Sequence, residues 1–377
     1  MQIPRRYIFW QPIPSMHQMP FLEHLHEVVD GEVICVHAED VPADRLELGW
    51  SRPRALGVRL VRASEADSIN LIHSNDAHSL HCFSGLHCHP YIAAKFREVI
   101  ASNAPVGLLS EAHDGYGLRG ALRKLRSYCD CRRYASRIAM VLAMGRLGVN
   151  WYRDAGYRSG VVFPFAYVAE PSRVPADPPE TNAGPFTIAF VGQLIHRKGV
   201  DLLFESLGSL MHLPWRLEVA GVGPLESALR QQADAAGFSD RVVWRGSLPN
   251  QRISAMLGAC DLLALPSRFD GWGVVVNEAL AAGTPVVCSD ACGAADLVAK
   301  PVLGQVVSAR SITHLAEAIR DRIHLGRTNS RTRAIIREHA CQFAPASIAK
   351  YFIDIVTSVC RQTEAPSVPW RNMGPCR

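Results

Sequence analysis

From Phe186 onward, short apolar runs alternate with amphipathic segments in a way that leaves few folds open. Phe186–Val191, Arg216–Ala220, Arg241–Trp244, Asp261–Pro266 and Pro285–Ser289 read as strands; Asp201–Leu210, Pro224–Ala236, Asn250–Gly258 and Val274–Ala282 read as helices. A strand that hands over to a helix before the next strand cannot form a hairpin, so the strands come out parallel and covered on both faces. The first half shows a looser version. Its candidate strands are Tyr7–Trp10, Glu32–Val36, Ile69–His73, Val106–Ser110, Ile138–Ala143 and Gly160–Pro164, and its helices Met19–Val29, Pro90–Ala101 and Leu118–Ala135. Between the halves, Glu170–Glu180 holds four prolines in eleven residues, which marks a linker. The expected architecture is α/β with two doubly wound, Rossmann-like domains. Residues 1–170 form the first, 171–184 the linker, and 185–345 the second, with a helix from Pro345 and a frayed tail after Glu364 filling 346–377.

The length of 377 residues agrees with two domains, and 48% apolar with 20% charged residues excludes a disordered or fibrous chain. No run approaches the roughly 18–20 apolar residues that cross a bilayer. Arg5-Arg6 followed by Tyr7–Trp10 is too short for a signal-peptide core, so a cytoplasmic protein is expected. A net charge of +5 is too small for a nucleic-acid binder and suits an anionic ligand or membrane surface. The eleven Cys show no repeated spacing and read as reduced thiols. His73, His78, His81, Cys82, His87, Cys88 and His89 crowd together without the paired spacing of a zinc site. They read as loop and groove-lining residues, and no metal is expected.

Chemistry concentrates in two segments of the second half. In the first, the strand ending at Val191 runs into Gly192, Gln193 and a basic loop with Arg197 and Lys198, and Gly199 then opens a helix. Ligands of open α/β sheets bind at the carboxyl ends of strands, where a glycine lets backbone approach a phosphate. The second segment is Leu263–Val287. Here a strand ends in a polar loop, Gly271 and Gly273 flank Trp272, and a helix starts near Gly273. Unpaired N–H groups and the dipole at that start, through Gly273, Val274 and Val275, suit a diphosphate. Glu278 lies about one turn further in, where a carboxylate accepts two hydrogen bonds from a ribose diol; Asp270 precedes the helix within reach of sugar hydroxyls.

These segments, with Arg245–Pro249 and Ala259–Asp261 between them, resemble the nucleotide-sugar half of retaining GT-B glycosyltransferases, family 4 in particular. The family's Glu-x7-Glu signature stands here as Asp270-x7-Glu278, followed by Ala-Leu-Ala-x-Gly-x-Pro-Val-Val. The likeness is close from Phe186 to Val298 and general elsewhere. It implies a GT-B fold, with two domains facing a central cleft and a C-terminal helix returning to the first. It also implies a metal-independent, configuration-retaining glycosyltransferase with no resident cofactor. The donor would be a UDP- or GDP-linked sugar and the acceptor a saccharide or a lipid-linked molecule, in bacterial surface polysaccharide assembly. By the same resemblance Glu278 binds the ribose, Asp270 the donor sugar, Lys198 and Arg197 the diphosphate, and Ser247 and Leu248 the base. The family often has Arg directly after the first glycine, where this chain has Gln193, and Asp270 is one methylene shorter than Glu.

In the first half, Glu111 and His113 follow the strand Val106–Ser110 and are the candidates to meet the donor sugar, with His17 and Gln18 on the acceptor side. Leu118, Leu122, Leu125 and Cys129 recur at helical spacing amid Arg119, Arg123, Lys124, Arg126, Arg132 and Arg133. Such a basic amphipathic helix either packs its leucines into the core or lies on an anionic membrane surface, here the inner face of the cell membrane. The rival readings are a non-catalytic nucleotide-sugar-binding relative and another GT-B enzyme such as an epimerase or phosphorylase. Against the last, only Lys300 and Lys350 lie beyond the loop, neither in a recognisable pyridoxal-phosphate context.

Overall fold

A computed structural model describes residues 1–47, 50, 52–65, 78–169 and 184–371. The expected strand Ile69–His73, the Pro-rich stretch up to residue 183, and the tail from 372 lie outside the described residues. The described chain forms two compact units: residues 1–46, 52–65, 78–169 and 343–371 make the first, and 47, 50 and 184–342 the second.

The first unit is built on seven strands: β1 Arg6–Gln11, β2 Glu32–His37, β3 Arg59–Arg62, β4 Ser79–Phe83, β5 Val106–Ser110, β6 Ile138–Met144 and β7 Val162–Phe165. All pairings are parallel, in the order β3-β2-β1-β4-β5-β6-β7. Strand β4 corrects the sequence reading, which left His81 among loop and groove-lining residues. It is a fully buried central strand beside β1, made tolerable for a histidine because Trp10 Nε1 donates to His81 Nδ1 at 3.0 Å. Burial pushes that imidazole down to about 3, so it stays neutral in the core. His87 and His89 take separate partners. His87 pairs with Asp130, and His89 caps the helix Pro90–Ile100 through Nδ1 while its Nε2 meets Glu39. The helix Pro345–Arg361 packs on the first unit, with Phe352 against Tyr7, Phe9 and Phe21 at 5.5–6.1 Å between ring centroids. The stretch after Glu364, expected to fray, instead buries Trp370 edge-on to Tyr351 at 6.0 Å.

The second unit holds β8 Phe186–Val191, β9 Trp215–Ala220, β10 Val242–Gly246, β11 Leu262–Leu265, β12 Val286–Ser289 and β13 Gly304–Val307. Its parallel order, β10-β9-β8-β11-β12-β13, is the 3-2-1-4-5-6 winding of a Rossmann sheet. One core of Phe, Leu, Ile and Val from these strands packs against the helices Val200–Gly208, Glu226–Ala235 and Ile312–Leu325. The winding reverses direction between β8 and β11. Their carboxyl ends therefore diverge into the crevice where this topology binds ligands, and both sequence-identified segments begin there.

Candidate active site

The two loops at this switch point are stitched together. Gly199 ends a short 3-10 turn at φ 69° and opens the helix Val200–Gly208. A Cβ there would stand 2.0 Å from the carbonyl oxygen of Pro266, so only glycine lets the loop after β8 lie on the loop after β11. Across that contact Arg268 N donates to the Arg197 carbonyl at 2.9 Å, and Arg197 Nη1 donates to the Phe269 carbonyl at 3.2 Å. The Arg268 guanidinium grips Asp201 with two bonds of 2.7 Å, fixing the helix behind the loop.

This stitching brings the predicted charges together. Lys198 Nζ lies 2.5 Å from Asp270 Oδ2, and Arg197 Nη1 lies 3.8 Å from Asp270 Oδ1. Gly192 and Gln193 border the same loop, immediately after β8. Gly273, at φ 89°, turns the chain into the helix Val275–Ala281, whose N-cap is Val274. The unpaired N–H groups at the start of that helix thus sit just past Asp270 and Gly271, as the sequence indicates.

Glu278 is the unusual member. It is 7% exposed, and its side chain makes no hydrogen bond or ion pair among the described residues. Burial alone pushes its carboxyl up to about 7. A buried acid is ordinarily paired; this one lies four residues past Val274, and the nearby loop's cations Arg197 and Lys198 are paired with Asp270. A ligand with two adjacent hydroxyls would satisfy it.

Two donor-side expectations need adjustment. The Trp272 side chain is not available to a ligand: it is 2% exposed, and its Nε1 donates to Asn277 Oδ1 at 2.8 Å inside the core. Its bulk holds the loop, and only its backbone borders the site. Ser247 and Leu248 follow β10 at the sheet's far side, Ser247 exposed and Leu248 half-buried.

In the first unit, Gln18 and Glu111 meet through Tyr167, whose hydroxyl bonds to both side chains and is pushed well above its usual range, chiefly by burial. Gln18 also accepts from Gln11 Nε2, at the end of β1. His17 adjoins them, pushed down to about 4 by burial and then by the Arg45 charge. Sequence reasoning missed Tyr167 and Gln11, since nothing local ties residues 11, 18, 111 and 167. His113 stands apart, edge-on to Trp151 at 5.4 Å, with its pKa lowered by burial and then by Arg123, His87 and Arg126.

The membrane candidates lie on the helix Gly117–Tyr134, whose buried residues are Gly120 and Cys131. The leucines face away from the core: Leu118, Leu122 and Leu125 are 87%, 66% and 60% exposed. Arg119, Arg123, Lys124, Arg126, Arg132 and Arg133 are all exposed around them.

Residues 176–339 match the glycosyl transferases group 1 family. A GDP-mannose-dependent alpha-(1-6)-phosphatidylinositol monomannoside mannosyltransferase of Mycobacterium tuberculosis is 32% identical over 142 residues, which is 35% of this chain and 37% of that protein. The chain thus spans little more than a third of that relative's length. Among solved structures, the lipopolysaccharide outer core galactosyltransferase WaaB in its apo form has a TM-score of 0.70 at 16% identity, covering 94% of this chain and 99% of that one. Anabaena HepE in complex with UDP and glucose has a TM-score of 0.65 at 18% identity, covering 95% and 98%. These two are likenesses of fold, and the fold they share is GT-B. The family match falls on the unit that carries the Lys198–Asp270 pair and Glu278, and it is this part of the chain that is similar to the glycosyl transferases group 1 family.

Proposed function

We propose that the protein is a retaining glycosyltransferase that moves a sugar from a UDP- or GDP-linked donor to a saccharide or lipid-linked acceptor, in surface polysaccharide assembly. One observation carries the reading: the buried, unpartnered Glu278 carboxylate beside a helix start at the sheet's switch point. It suits the ribose diol of a nucleotide whose diphosphate rests on that helix start. The mannosyltransferase relative is named for GDP-mannose, and HepE holds UDP and glucose, which supports a nucleoside-diphosphate sugar and leaves both bases as candidates.

Charge sets the mechanism. Breaking the glycosyl–phosphate bond leaves negative charge on the diphosphate and positive character on the anomeric carbon. Lys198, Arg197 and the N–H groups before Val275 would take up the first, in the place a metal ion holds in other transferases. Asp270, held by Lys198, would position the donor sugar's hydroxyls, and departure and attack on one face need no protein nucleophile. On the acceptor side we assign His17 and Gln18; Tyr167 joins Gln18 to Glu111, which we keep as the candidate to meet the donor sugar.

The exposed leucines and their flanking cations support a peripheral position on the inner face of the cell membrane, where a lipid-linked acceptor would be met. Liposome sedimentation tests this: the wild type should pellet with anionic vesicles at low salt, and a double Arg132→Glu, Arg133→Glu variant should not. Equal sedimentation removes the membrane reading. The activity itself is tested with a panel of UDP- and GDP-sugars in the presence of EDTA, scoring transfer and donor hydrolysis. Donor binding with no turnover on any acceptor would make the chain a binder and not an enzyme.

A further inference from the structure

A cavity lies wholly within the first unit, at the carboxyl ends of β4 and β5. Its volume is about 270 Å³. At roughly 30 Å³ per water it would hold about nine waters, enough for a phosphoryl group together with part of the molecule it esterifies. Ser84–Cys88 and Ser110 line it, together with residues of the helix Gly117–Tyr134. Arg123, Arg126, Ser127 and Asp130 share one face of that helix, at the three- and four-residue spacing that stacks side chains together.

The lining is positively charged and incompletely satisfied. Asp130 is its one carboxylate, and His87 Nε2 meets it at 2.7 Å. Ser127 is occupied by Trp151 Nε1 at 3.1 Å, and Tyr152 bonds to Ser110. Arg123 donates only to the Asp114 carbonyl, at 2.9 Å, and Arg126 has no partner among the described residues. These two guanidiniums and His87 hold the His113 imidazole below its usual range, behind the effect of its own burial, as expected where positive charge is in surplus. A separate observation comes from another lining residue. Tyr157 is 4% exposed, and its buried hydroxyl has no hydrogen-bond partner among the described residues. A buried O–H is normally bonded.

We propose that this cavity is an oxyanion site for a phosphoryl group of the acceptor, held by Arg123 and Arg126 with the Tyr157 hydroxyl as a further donor. The word acceptor rests on the glycosyltransferase reading; the oxyanion site does not. Guanidinium forks match phosphate geometry, and the outer face of the same helix carries the exposed leucines, so the phosphate belongs either to a soluble ester or to a lipid head group.

The test is calorimetric titration of the full chain with glycerol 3-phosphate. It is done with UDP and GDP saturating, so that the second unit's diphosphate site is filled, and with glycerol as the neutral control. Glycerol 3-phosphate should bind and glycerol should not. Arg126→Gln, an exposed change that leaves the core intact, should weaken binding about tenfold to a hundredfold, the loss of one charge-assisted contact. Tyr157→Phe should weaken it several-fold without lowering the thermal midpoint of the unliganded protein, because the hydroxyl has no protein partner to lose. A water-soluble short-chain phosphatidate separates the sources. Tighter binding than glycerol 3-phosphate, lost in Leu122→Ser, assigns a lipid head group; equal binding assigns a soluble ester. Glycerol binding as well as its phosphate, or unchanged affinity in Arg126→Gln, overturns the proposal. No turnover enters the titration, so failure of the glycosyltransferase reading would appear separately, as absent transfer from every UDP- and GDP-sugar.

Discussion

Replacing Glu278 by Gln should make the nucleotide-free protein more stable while disabling donor binding, and the two effects should follow pH in a fixed way. The folded chain holds the Glu278 proton up to about 7, against an ordinary value of 4.5. The acid's contribution to stability is therefore intact below about pH 4.5 and is lost as pH rises through 7. Once ionised in the fold, the unpaired carboxylate costs about 3 kcal/mol relative to the unfolded chain. Near pH 5.5 the same linkage gives about 1 kcal/mol, because only the unfolded chain is then ionised to any extent. Gln has nearly the same shape and no charge, so Glu278→Gln should gain roughly 2 kcal/mol more at about pH 8.5 than at about pH 5.5. For a protein of 377 residues that is a rise in Tm of about 2–3 °C beyond any shift at the lower pH.

Thermal unfolding at the two pH values, without nucleotide, reads the first effect. Binding of UDP and GDP to both proteins reads the second. A charged acceptor shared by two ribose hydroxyls is worth about 1.5–3 kcal/mol per bond, so affinity should fall by at least tenfold. Wild-type affinity should also rise between about pH 6 and pH 8 as the carboxylate forms. If Glu278→Gln gives no pH-dependent stabilisation, the carboxylate is paired and the burial argument is wrong. If it stabilises as expected but leaves nucleotide affinity unchanged, Glu278 is a strained core acid and the ribose assignment falls.

Three other substitutions probe the same loops. Lys198→Ala should lower kcat by about 10²–10³-fold with a smaller change in KM, since its charge matters most as the diphosphate leaves; steady-state kinetics on the donor would show a raised KM with kcat unchanged if Lys198 only binds. Gly199→Ala forces a Cβ to 2.0 Å from the Pro266 carbonyl at φ 69° and should cost about 1–3 kcal/mol in urea unfolding; an unchanged midpoint would mean the two loops are not in obligatory contact. Trp272→Phe removes the bond to Asn277, and should lower stability by about 1–3 kcal/mol. Donor affinity should stay within about threefold, because the indole is internal.

The cluster at the β8–β11 switch point was legible because its constraints are local. Gly199 and Gly273 stand where the backbone turns through positive φ beside another chain segment, and Asp270 and Glu278 flank one helix start. All of that is encoded in short contiguous stretches. The elements that were missed share a different physical reason. Strand β4 carries His81, whose polarity hides its place in the core; Trp10, 71 residues away, makes that place tolerable by donating to it. Strands β3 and β13 have four residues each, too few to show a period, and β3 is an edge strand with Arg at both ends. The Gln18–Tyr167–Glu111 meeting depends on three loops arriving at one edge of a sheet, which no window of sequence contains.

The helix Gly117–Tyr134 shows where periodicity stops being informative. Leucines at 118, 122 and 125 define one face of a helix equally well if that face is buried or if it is bare. What decides between the two lies on the other side. A Cβ on Gly120 would stand 2.1 Å from the backbone of Gly115, and Cys131 is buried, so the small residues mark the face pressed against the unit. Gly120 follows Leu118 by two positions, and two positions turn a helix by roughly 200°. If the glycine faces inward, the leucines must face outward. The informative residue in that helix was therefore its glycine, and the hydrophobic stripe acquired a meaning only once the glycine's contact was known.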